Sequence, residues 1–211
     1  MLAEATKVGP VFYEDGADVR ARADRFGQIV TDTFIAEQVA RGNGYVATSV
    51  AASITALGNN IPTIWNKSDS GKLVIIDKIS IGSATVGTAV MTSIVYGAAI
   101  NMGAELHAND GAILTFTEVA TRNRLIGSLK ASKTKFSGVV STFTTAPTIM
   151  AHSGFSASGT VSGFGSQTDK IDGGYGLMPG TVFQVGATTT TSTSIGVSIY
   201  FIEVDVRFAE S

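Results

Sequence analysis

The spacing of apolar residues along the chain changes once, near residue 42. Between residues 31 and 41 it is helical: Ile35 and Val39 form an i, i+4 pair with Phe34 beside them. Thr31 or Asp32 can cap the start, Arg41 falls in the last turn, and Gly42 stands where helices commonly end. From Tyr45 onward the period is two, the signature of half-buried strands. Residues 45–53, 61–66, 72–81 and 90–96 read as strands. Gly42-Asn43-Gly44, Gly58-Asn59-Asn60 and Ser68-Asp69-Ser70-Gly71 separate them with residues that tolerate positive φ or form Asx turns. Within 72–81, Leu73, Ile75, Ile79 and Ile81 share one predicted face, and Asp77 interrupts it.

Beyond Tyr96 the alternation weakens. Residues 112–119 and 135–145 read as strands joined by a basic stretch of Arg122, Arg124, Lys130, Lys133 and Lys135. Residues 151–168, rich in Gly and Ser, read as a long loop with room for one short strand. Residues 181–186 form another strand, and a Thr/Ser run leads into the last one, 194–208. That strand swaps its apolar side midway. Ile195, Val197, Ile199 and Phe201 occupy one side; Ile202, Val204, Val206 and Phe208 occupy the other, while Glu203 and Asp205 take the first. Side chains alternate strictly along a strand, so the swap requires either a bulge or a move into a second environment. In the second case Ile202, Val204, Val206 and Phe208 would face a neighbouring subunit. Eight or so short strands with turn signals between them predict an all-β fold, a jelly-roll β-sandwich over residues 29–211. An extended N-terminal arm (1–28) and one short helix complete it. No repeat period indicates a solenoid or propeller.

Charge alters this picture because it is unevenly placed. Twelve of the 32 ionisable Asp, Glu, Lys and Arg residues lie in the first 41 positions, whereas residues 139–168 and 173–202 contain none. Only 15% of the chain is charged, against about 25% in typical soluble domains. Subunit contacts are the simplest cover for such a surface. The charge-free runs carry Gly, Ser and Thr too often for membrane helices, which need about 20 predominantly apolar residues. No basic-then-apolar leader opens the sequence. A net charge of −2 supplies no general field for nucleic acid or anionic membrane, so neither is expected as a partner. The arm mixes signs, with four acids and three bases over residues 14–25, which favours docking in a specific register.

Candidate chemistry is sparse. With no cysteine, disulfides, thiolate metal sites and cysteine nucleophiles are excluded. His107 and His152 are the only histidines, and neither belongs to a ligand or triad motif; Ser153 beside His152 lacks the glycine elbow of a nucleophilic serine. Glu203 and Asp205 would project on one side of a strand about 7 Å apart, within the range of an inverting glycosidase pair. Two acids near a strand end are more commonly solvent-facing. Ser70-Gly71-Lys72 is similar to the end of a phosphate loop but lacks the upstream glycine and the final hydroxyl. Asp169 and Asp172 offer oxygen ligands without calcium-loop spacing. Asn66-Lys67-Ser68 fits a glycosylation sequon, which matters only on a secretory route. The basic stretch lacks the interleaved aromatics of a nucleic-acid surface. No catalytic residue, metal or cofactor is therefore expected.

Three segments carry a family resemblance. Asp24-Arg25-Phe26-Gly27-Gln28-Ile29-Val30 resembles the "DRxGxxV" lead-in of small tailed-bacteriophage virion proteins. Ile64-Trp65-Asn66-Lys67-Ser68-Asp69-Ser70-Gly71-Lys72-Leu73-Val74-Ile75 is similar to their "LWNPxxSGKxLVI" hairpin, with Lys67 in place of proline. Met178-Pro179-Gly180-Thr181 and Ser198-Ile199-Tyr200-Phe201-Ile202-Glu203 resemble their "PPG…VxFxWxEV" close. The likeness covers residues 24–81 and 175–204 and implies a jelly-roll accessory protein of the virion. The corresponding expectation is a homotrimeric decoration or cement protein on the outer surface of the capsid. Phe12, Tyr13, Arg20, Arg22, Arg25 and Phe26 of the arm would hold it to the major capsid protein. The alternative is a tail or fibre-tip protein whose loops 151–168 and 186–194 bind a host receptor.

Overall fold

In the computed structural model the described residues are 34–49, 52–58, 61–83, 90–100, 113–143, 147–157, 166–188 and 194–206. They form one short helix, α1 (Phe34–Ala40), and eleven strands. These are β1 (Gly44–Thr48), β2 (Thr63–Asn66), β3 (Lys72–Ser83), β4 (Val90–Ile100), β5 (Ile113–Glu118) and β6 (Arg122–Asn123). The remainder are β7 (Lys135–Phe143), β8 (Thr148–Ala157), β9 (Ser166–Leu177), β10 (Thr181–Ala187) and β11 (Ile195–Asp205). All ladders are antiparallel. One sheet runs β6-β1-β11-β3-β9 and the other β5-β7-β2-β10-β4-β8. The all-β expectation therefore holds, as a two-sheet sandwich.

The inner faces meet in a shared core. Tyr45, Val74, Ile76, Ile79, Ile81, Val197, Ile199 and Phe201 come from the first sheet, and Ile64, Ile94, Tyr96, Phe136, Phe183 and Val185 from the second. Aromatic rings cross the gap: Tyr175 of β9 lies 5.9 Å from Phe183 of β10, centroid to centroid. The outer faces are covered locally. Over the second sheet, Leu57 from the β1–β2 connection lies where Cβ atoms on Gly97 or Gly186 would sit, 2.3 Å and 3.0 Å from its methyl groups. Over the first sheet, α1 packs so tightly on the start of β1 that a Cβ on Gly44 would come within 2.5 Å of Val39 Cγ2. Glycine is required at these positions because backbone and side chain touch directly.

Three sequence expectations change. First, 151–168 is not a long loop, since β8 and β9 extend into it from either side. Both are edge strands, and β8 exposes Thr148, Ile149, Met150 and His152, so no clean alternation marks it. Second, the face predicted for 72–81 is broken by a bulge. The β3–β11 register shifts as Tyr200 pairs with Lys78 and Phe201 with Ile76, leaving Asp77 as the extra residue. The inward residues are therefore Val74 and Ile76 before the bulge, then Ile79 and Ile81 after it, while Leu73 and Ile75 point outward. Third, the face swap in β11 is resolved without a departure from the core. Ile195, Val197, Ile199, Phe201 and Glu203 stay on the inner side, and Ile202 is buried on the outer side, in register with Gly44 beneath α1.

Candidate docking surface

The bulged residue begins a chain of contacts across the outer face of the first sheet. Asp77 Oδ2 pairs with Arg124 Nη1 at 2.7 Å, with both side chains largely buried. The Arg124 guanidinium and Lys78 Nζ lie 5.5 Å and 4.4 Å from the centre of the Tyr200 ring, a cation–π arrangement. Arg124 thereby anchors the connection between β6 and β7. Its backbone N–H also donates to Gly44 O at 2.8 Å.

That connection is fastened at several further points. Helix α1 ends with Gly42 at φ 73°, where Gly42 N–H donates to Val39 O and Asn43 N–H to Gln38 O. Asn123 Nδ2 then donates to Gly42 O at 2.9 Å and to Lys130 O at 3.2 Å, and Asn123 Oδ1 accepts from Leu125 N–H. A turn closes from Ser128 N–H to Leu125 O through Gly127 at φ 91°, and Lys130 Nζ donates to Asn43 Oδ1. The loop's polar groups are thus turned inward, onto itself and onto the helix end. Its apolar groups are turned outward: Leu125 is 41% exposed, Ile126 97%, and Leu129 fully. Single exposed apolar residues are ordinary, but large ones grouped on one well-fastened loop mark a contact surface.

The charged residues within this segment itself have one sign. Residues 120–134 contain Arg122, Arg124, Lys130 and Lys133 and no acid. Arg124 is neutralised by Asp77, and the partner of Lys130 is a neutral amide. Arg122 and Lys133 are exposed. The sequence reading registered these cations and overlooked the apolar residues among them. The visible signal was Leu125-Ile126-Gly127-Ser128-Leu129, an apolar cluster without alternation around a turn glycine.

The other candidate residues fall as follows. The docking-arm set Phe12, Tyr13, Arg20, Arg22, Arg25 and Phe26 lies outside the described residues, as do His107 and Phe208. Of the proposed subunit-facing residues, Ile202 is 0% exposed within the single chain, so it has no surface left for a neighbour. Val204 and Val206 are half-buried. Glu203 and Asp205 do not form a catalytic pair. Asp205 reaches outward to Lys72 Nζ at 2.7 Å. Glu203 is buried, contrary to the solvent-facing expectation, and its carboxylate accepts from Ser132 Oγ, the Lys133 and Thr134 amides, and Thr134 Oγ1 at 2.5–3.2 Å. It holds the segment leading into β7, beside Tyr45, whose hydroxyl donates to Ala131 O. Burial, and then the Glu203 charge, push the Tyr45 phenol up to about 12.

His152 is exposed on β8. Its neighbour Ser153 joins a polar clasp between the two sheets: Gln167 Nε2 donates to Ser153 Oγ and to Asp169 Oδ1, and the Tyr96 hydroxyl donates to Asp169 Oδ2. Burial pushes Asp169 up, but hydrogen bonds from Ser153, Tyr96 and Gln167 outweigh it and hold the carboxyl below its ordinary value. Both Asp169 carboxylate oxygens thus accept hydrogen bonds, and the cluster links a strand of one sheet to strands of the other. Among the described residues no group of three His, Cys, Asp or Glu could hold a metal, and no helix is long and apolar enough to cross a membrane.

Two of the segments that carry the family resemblance meet at one residue. Asn66 is fully buried at the end of β2. Its Nδ2 donates to Lys72 O at 2.6 Å and to Leu177 O at 2.8 Å, while its Oδ1 accepts from Ser70 Oγ at 2.6 Å. Its backbone carbonyl accepts from Gly180 N–H at 2.7 Å, in the turn that carries Met178 and Pro179. Ser70-Gly71-Lys72 is therefore part of a turn, with Gly71 at φ 62°, that carries the chain from β2 in one sheet to β3 in the other; it is neither a hairpin between paired strands, as the sequence suggests, nor a phosphate cradle. Searches against family models, curated proteins and solved structures return no match to this chain.

Proposed function

We propose that the chain is a non-catalytic structural protein of a tailed-bacteriophage virion, a homotrimeric decoration protein on the outer capsid surface held by its N-terminal arm. We read the fold as a jelly roll. Strands β1-β11-β3-β9 opposite β2-β10-β4-β8 follow the double Greek-key order, with β5–β7 inserted between β4 and β8 to widen both sheets. The observation that carries the proposal is the Asn66 clasp. Segments more than 100 positions apart, which separately resemble one family's hairpin and closing motifs, join in a single buried hydrogen-bond cluster. Motifs that resemble a family by chance have no reason to interlock. The ionisable side chains near the core, Glu203, Asp169 and Asp77, are all engaged in holding strands and loops, which fits a structural role.

Removing residues 1–28 tests the proposal directly. The truncated chain should remain a folded trimer and lose capsid binding, and persistent binding would contradict the assignment to the arm. Copy number separates the decoration role from a tail or fibre-tip role: hundreds of copies per particle for the former, a few tens or fewer for the latter.

A further inference from the structure

We infer that the β6–β7 loop is a second docking element, separate from the arm, which seats Ile126 and Leu129 in an apolar pocket rimmed by carboxylates on the capsid protein. This rests on the reading of the chain as a capsid-decorating protein and supplies the chemistry of the partner. The loop is fastened at Asn123, Arg124 and Lys130, so little conformational freedom is lost when it docks. Its tip offers two fully exposed aliphatic side chains as anchors. On either side of them along the loop stand the exposed cations Arg122, Lys130 and Lys133, with no acid between residues 120 and 134.

That rim decides which occupant fits. A contact in which the tips of three copies meet on a symmetry axis would bring three sets of these cations together, and like charges across an interface oppose association. An acidic partner removes that penalty and gains steering. An anionic lipid surface shares the charge but fits the tip less well. Segments that lie in the membrane interface use Trp, Tyr or Phe, and residues 120–134 contain no aromatic side chain. Aliphatic Ile126 and Leu129 suit a shaped protein pocket.

The test uses the full-length chain, capsids stripped of decoration, and phosphatidylglycerol vesicles. The double variant Ile126→Ser/Leu129→Ser should keep its oligomeric state in sedimentation and its circular dichroism spectrum, and should bind capsids about 100-fold more weakly, as expected for two lost apolar anchors. Arg122→Glu/Lys133→Glu, which leaves the apolar tip intact, should also weaken capsid binding and flatten its dependence on salt. If the unaltered chain fails to bind capsids, the functional proposal itself falls. If it binds and both variants bind equally well, only the loop assignment falls. Loss of the oligomer in the first variant would make the tip a contact between copies, and loop-dependent vesicle binding would make it a lipid anchor; either result overturns the inference.

Discussion

The β2–β3 turn and the β6–β7 connection both carry a positive-φ glycine and an asparagine that gathers backbone groups, yet they face solvent in opposite ways. In the β2–β3 turn, which crosses from one sheet to the other, Asn66 and Ser70 turn inward and the exposed positions are polar: Asp69 is exposed, and Lys67 pairs with it. In the connection, Asn123 and Ser128 also turn inward, but Ile126 and Leu129 are left in water. A turn finished with polar groups serves the chain's own closure. A loop with equally careful internal bonding and an apolar exterior leaves Ile126 and Leu129 for the contact proposed above.

The largest effect should come from breaking the first of these. Asn66→Ala strands two backbone carbonyls and the Ser70 hydroxyl in or near the core, for a loss of about 3 kcal/mol. By calorimetry the melting temperature should fall by roughly 6–12 °C for a chain of this size. An unchanged melting temperature would mean the β2–β3 turn is not held from within.

Next is Glu203→Gln, which places an amide donor where four donors already converge. A loss of about 2 kcal/mol is expected, with faster hydrogen exchange at the Lys133 and Thr134 amides than at Ser70. Equal acceleration at both places would show the two loops to be energetically one unit.

Alkaline pH should probe the base of the β6–β7 connection through Tyr45, alongside the inter-sheet clasp at Tyr96, whose phenol burial also pushes up. Because the folded Tyr45 phenol is raised to about 12 from 10.0, its contribution is fully present below pH 10 and is lost as pH rises through 12. Tyr45→Phe should therefore show a shallower fall in melting temperature between pH 10 and 12 than the unaltered chain; parallel curves would exclude Tyr45 as a source of the fall.

The smallest effect should come from Ile126→Ser. Being 97% exposed, the side chain should change stability by no more than about 0.5 kcal/mol. A larger drop in thermal denaturation would place Ile126 in a contact within the chain and remove its claim to be an anchor.

Much of the sandwich was legible because burial on one face imposes alternation. Ile195, Val197, Ile199 and Phe201 announce β11, and Ile35 with Val39 announces the helix. The strands that escaped notice, β6, β8 and β9, lie at sheet edges, where neither side needs a continuous apolar row. Asp77 misled for a different reason. A bulge shifts the phase of alternation by one, and on a one-dimensional pattern it looks like a polar defect in an otherwise regular face. Glu203 was misread because the sequence shows an acid but not the four donors that converge on it from residues 132–134. At the docking loop, attention to charge hid the aliphatic residues between the charges.

The positions of β10 and β11 in the sheets also govern how the chain can mature. β10 is inserted between β2 and β4, and β11 between β1 and β3, so neither layer can zip up until its late middle strand arrives. At a translation rate of about 5–20 residues per second, β1 to β4 wait roughly 5–20 s with gaps where those strands belong. During that interval, nascent copies on one messenger hold matching vacancies and matching strands. Heavy synthesis therefore favours premature cross-pairing, and yield should depend on chaperone supply and on slow expression at low temperature.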